Sequence, residues 1–157
     1  MKRIAFLPII FSLSFIFLNV FTQAQPVMKE KSKEVINRSA MVIYAAHKYT
    51  LANKVYTGFL KQAVIHQYVA IALYYEGKYM RAIHQSRRAR EYAGLQLEAN
   101  NGIYPSGFEP ANDELPEGPT PDRDELDAEA IASGLSATVP NDEALSKGIL
   151  DDLEIKE

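Results

Sequence analysis

The chain has 157 residues, no Cys, no Trp and a formal net charge of -3 at pH 7, from 17 basic and 20 acidic side chains. That length allows one small domain, and an apolar share of 47% excludes wholesale disorder. The absence of Cys excludes a disulfide scaffold, a thiolate zinc site, a Cys nucleophile and a lipid-modified N-terminal Cys.

The first segment reads as a targeting signal. Lys2 and Arg3 precede an uncharged run from Ile4 to Phe21, and Thr22-Gln23-Ala24 supplies small residues at the positions a signal peptidase reads. Residues 1–24 are therefore expected to be a cleaved signal peptide, leaving a periplasmic or secreted chain from residue 25. An uncleaved run would instead anchor the chain in a membrane. Export argues against nucleic acid as a partner.

After a short linker at residues 25–31, residues 32–100 predict three helices in an up-down-up, all-α arrangement. The first spans Ser32–Tyr56, with Val35, Val42, Ala46, Tyr49 and Tyr56 on its apolar face. The second spans Phe59–Glu76 and is apolar on all sides, so it needs cover on two faces. The chain's own tail, a partner, or the neighbouring helices could supply it. The third spans Lys78–Glu98, with Tyr79, Ala82, Ile83, Ser86, Ala89, Ala93 and Leu97 on one stripe and Arg81, His84, Arg88 and Glu91 opposite. Gly58 and Gly77 are placed to end one helix before the next begins.

Residues 63–96 resemble a single tetratricopeptide-type repeat. The resemblance lies in Ala70, Leu73, the turn Gly77-Lys78-Tyr79, and Ala82, Ile83 and Ala89. It implies a tightly packed helical hairpin with the first helix as a cap. It also implies a ligand groove faced by Gln67, Ile71, Tyr74 and Tyr75.

From residue 101 the composition changes. Six of the eight Pro lie there and no aromatic residue follows Phe108. Residues 25–98 carry 12 Lys and Arg against 5 Asp and Glu, a charge of +7, whereas residues 99–157 carry 3 against 15, a charge of -12. Such a tail is expected to be mostly disordered, with transient helices over Asp124–Ser133 and Asp142–Ile155. Its acids are natural counter-charges for a basic strip that includes Arg81, Arg87, Arg88 and Arg90.

Catalytic signatures are missing from the sequence. There is no Glu-x-x-His pair, His-Glu-x-x-His motif, phosphate loop or Gly-x-Ser-x-Gly elbow. Asp122-x-Asp124-x-x-Asp127 fails as a calcium loop, because position six is Asp127 rather than Gly and position twelve is Ser133 rather than Glu. The expectation is a non-catalytic scaffold or accessory subunit of an envelope complex, without a cofactor. It would bind a protein partner through Gln67, Ile71, Tyr74, Tyr75, Arg81 and Arg88, with a homo-oligomer as another arrangement. The rival expectation is a small-molecule, metal or haem-binding bundle centred on His66.

Overall fold

The computed structural model describes residues 7–156, with side chains from Gln25 onward. The signal expected over residues 1–24 lies outside the residues described to that level. The regular structure is helical: α1 Leu7–Asn53, α2 Phe59–Tyr75, α3 Tyr79–Ala99, α4 Arg123–Ala132 and α5 Asp142–Lys147, with 3-10 turns at Asn112–Glu114 and Leu135–Ala137. The fold is therefore all-α. Among the described residues, no helix is long and apolar enough to cross a membrane.

The turn between α2 and α3 follows from Gly77. It adopts φ +77°, with its N–H on the Tyr74 carbonyl and the Lys78 N–H on the Leu73 carbonyl. This pair of bonds satisfies two end carbonyls of α2 and needs a left-handed residue between them. Gly58 has a different role from the expected one. The first helix stops at Asn53 rather than Tyr56, the left-handed residue there is Lys54, and Gly58 caps the start of α2. The end of α3 causes the early stop. Asn100 Oδ1 accepts from the Val55 N–H, while Gln96 and Asn100 both donate to the Val55 carbonyl. Those side chains take backbone groups that a longer helix would need.

α2 packs along α3, and both pack on α1. Ala63 and Ala70 of α2 and Ala82, Ala89 and Ala93 of α3 share one buried core with Ile36, Val42 and Ile43 of α1. Methyl-sized side chains at these positions let helix axes approach closely. Every member of the expected α3 stripe is buried except Tyr79, which is partly covered.

The expectation of a mostly disordered tail is corrected. Residues 101–156 lie against the helices and bury Leu126, Ala130, Val139, Leu145, Leu153 and Ile155. All but Leu126 belong to the same core cluster as α1–α3. The tail supplies the second cover that the all-apolar α2 requires. Its composition alone could not fold it; the acceptor surface of the helices does.

Candidate partner-binding site

The basic face of α3 is closed by α4. Asp122 starts α4 by accepting the Glu125 N–H at 2.7 Å, a local cap that also places Asp127 and Glu129 toward α3. Arg88 holds Asp127 with both arms of its guanidinium, Nε on Oδ1 at 2.8 Å and Nη2 on Oδ2 at 2.7 Å. Arg81 reaches Glu129 through Nε and Glu125 through Nη1, each at 2.8 Å. The Tyr92 hydroxyl donates to Asp127 Oδ2 at 3.0 Å, and the Arg88 guanidinium lies 4.3 Å from the Tyr92 ring centroid. Hydrogen bonds from Arg88, then from Tyr92, hold the Asp127 carboxyl below its usual range.

His66 sits beneath this clasp, fully buried and stacked on Tyr92 with ring centroids 5.3 Å apart. Gln85 fixes its tautomer. The Gln85 amide nitrogen donates to the Leu126 carbonyl and to Glu129, so its oxygen accepts from the Nδ1–H of His66 at 2.6 Å. Nε2, unprotonated in that tautomer, then faces Asp127 Oδ1 at 3.2 Å without a hydrogen bond. Burial lowers the His66 pKa from 6.5, outweighing the Gln85 bond and the Asp127 charge. Among the described residues, no group of three or more His, Asp or Glu could hold a metal ion.

A second anchor lies at the opposite edge. Arg90 is only 1% exposed, and its Nη1 donates to both oxygens of Glu114, at 2.9 and 3.1 Å. Arg38 Nε donates to the same carboxylate at 2.9 Å, and Arg87 lies 3.6 Å from it. The remaining Arg90 donors reach Ser39 Oγ and the Val35 and Phe108 carbonyls.

Residues 149–156 cross α1 and α2 as an irregular segment with a bend at Glu154. Asn37 of α1 grips Ile155 on both backbone groups, accepting its N–H at 2.7 Å and donating to its carbonyl at 3.2 Å. The Gln67 amide donates to the Leu153 carbonyl at 2.7 Å and to the Ile36 carbonyl at 2.8 Å, while its oxygen accepts from Ser86. The Leu153 and Ile155 side chains are buried there. Burial, aided by the nearby acids of this segment, raises the Tyr44 and Tyr68 hydroxyls above their usual range.

The six residues expected to face a partner thus have different surroundings. Gln67 is sealed inside, bonded to the chain's own end. Tyr74 is buried and Ile71 is half-buried, whereas Tyr75 is 70% exposed. Arg81 and Arg88 are engaged by α4. His47, at the margin of α1, meets the Leu145 and Gly148 carbonyls.

Sequence reasoning missed Asn37, Glu114, Asp142 and the burial of Arg90. A signal for Arg90 existed: Ile83, Ser86, Arg90, Ala93 and Leu97 recur at spacings of three and four, which puts Arg90 on the core stripe. The other three had none, because their partners lie far away in sequence. Comparison with protein-family models, with curated proteins and with solved structures finds no match to this chain.

Proposed function

We propose that the protein is an exported, non-catalytic protein-binding scaffold, an accessory subunit of a bacterial envelope complex. On this reading its first three helices stack up-down-up as a TPR-like hairpin array, and its tail is autoinhibitory. The observation that carries it is the acidic clasp, in which Glu125, Asp127 and Glu129 of α4 cover Arg81 and Arg88 of α3. The partly exposed pairs of Arg81 with Glu125 and Glu129 contribute about 0–1 kcal/mol each, so a partner can displace them, while the bidentate Arg88–Asp127 pair is the firmer hold. Tyr75 and the 46% exposed Met80 stand open at the turn beside the clasp as a first apolar foothold.

The test is a crosslinked pull-down of the tagged full chain from its native envelope, with and without the substitutions Glu125→Gln, Asp127→Asn and Glu129→Gln. One protein should be recovered in stoichiometric amount, and the substituted chain should capture more of it, with stronger dependence on salt. No partner, or equal capture by both chains, overturns the proposal. The intact mass of the natural chain tests export separately: loss of residues 1–24 is expected, and their retention means an anchor.

A further inference from the structure

The manner in which the chain holds its own end points to a peptide-binding groove. Three of the bonds that fix residues 153–155 are made by Asn37 and Gln67 to main-chain atoms: the Leu153 carbonyl, the Ile155 N–H and the Ile155 carbonyl. Main-chain groups are common to every polypeptide, so these amides read a non-helical backbone rather than a sequence. Selectivity comes from the two buried side chains. Leu153 and Ile155 are both buried in the core, on either side of a bend at Glu154. Between them Glu154 borders a cleft of mixed charge, lined by Lys31, Lys33 and Arg38 and by Glu30 and Glu34 of α1.

The tether to this segment is poorly made by comparison. Ile149 is 88% exposed, and the chain turns at Asp152 through φ +56°, a left-handed conformation that Asp tolerates better than most residues with a Cβ. A segment arriving from another chain would make the same bonds without that turn. We propose that the groove between α1 and α2 is a recognition site for a non-helical segment of a partner protein. That segment carries two large aliphatic side chains two residues apart, and residues 149–156 are a built-in competitor for it. This rests on the scaffold reading and names the chemistry of the partner.

The probe is a synthetic peptide copying residues 149–157, added to the full chain. Because the chain has no Cys, Lys156→Cys can carry a single tyrosine-quenched dye beside Tyr74, Tyr75 and Tyr79. Saturable dequenching by the peptide is expected, and none by a copy with Asp at the two aliphatic positions. In a second arrangement, Leu153→Asp with Ile155→Asp in the full chain should bind labelled peptide at least about tenfold more tightly than the unsubstituted chain. Adding Asn37→Ala should weaken that binding about tenfold.

No dequenching at millimolar peptide in a chain that stays helical overturns the inference. So does growth of a dimer without peptide, which would make a second copy the occupant. Envelope capture that excess peptide leaves untouched overturns this inference and spares the scaffold proposal. Peptide binding with no envelope partner does the reverse.

Discussion

Glu114 illustrates what a single carboxylate does when arginines surround it. Its oxygens accept from Arg90 and Arg38 inside the fold, and Arg90 is almost wholly withdrawn from water. Ion pairs of this kind add little net stability over an apolar replacement, but removing one partner strands the other charge. Glu114→Ala is therefore expected to cost about 3–5 kcal/mol in denaturant unfolding. A loss below about 1 kcal/mol would mean that Arg90 finds water or another anion. Sequence periodicity places Arg90 on the core stripe, but its counter-ion sits 24 residues further on, in a segment whose composition signals disorder.

Among the elements, α2 depends on α5. Gly58 has no side chain with which to cap α2, and nearby Thr57 Oγ1 takes only the Phe59 N–H, at 3.2 Å. Asp142 caps the helix from the tail, with Oδ2 on the Gly58 N–H at 2.6 Å and Oδ1 on the Lys61 N–H at 2.8 Å. These are charge-assisted bonds at the positive end of a helix. Asp142→Ala should cost about 0.5–2 kcal/mol and speed amide exchange at Gly58 and Lys61 before other parts of α2. Exchange that rises evenly along the helix would contradict a capping role. The borders of α2 and α3 at Gly77 were legible, because a left-handed Gly turn is local chemistry. α4 lies within a residue at each end of the transient helix expected over Asp124–Ser133, although Asp122 reads in the sequence only as a calcium-loop position and not as its cap. The expected helix over Asp142–Ile155 shortens to Asp142–Lys147, since the backbone beyond Gly148 bonds to Asn37 and Gln67 instead. Such long-range capture leaves no trace in local periodicity.

For the whole molecule, acid should loosen the assembly. The His66 and His84 pKa values lie below 6.5, chiefly through burial. The unfolded chain thus binds protons that the native one refuses. Their contribution to stability is present above pH 6.5 and declines as pH falls below it toward the lowered native values. Asp127, held below 3.8 chiefly by the Arg88 hydrogen bonds, adds stability that is lost as pH falls through its own lower range. Denaturation midpoints should fall between pH 7 and pH 5, and His66→Asn should flatten part of that slope while His84 keeps the rest. A pH-independent midpoint would contradict the burial of both rings.

The bonds that complete the core also fix when it can be completed. Asp142 caps α2 through Gly58, 84 residues before it, and Ile155 is gripped by a side chain 118 residues before it. A chain emerging from its N-terminus first must hold α1, α2 and α3 with an open flank until residues 142–155 appear. Closure of such distant contacts is slow. Over that interval the two slots later filled by Leu153 and Ile155 stand vacant, so any helper that escorts the newborn chain meets them before those two residues do.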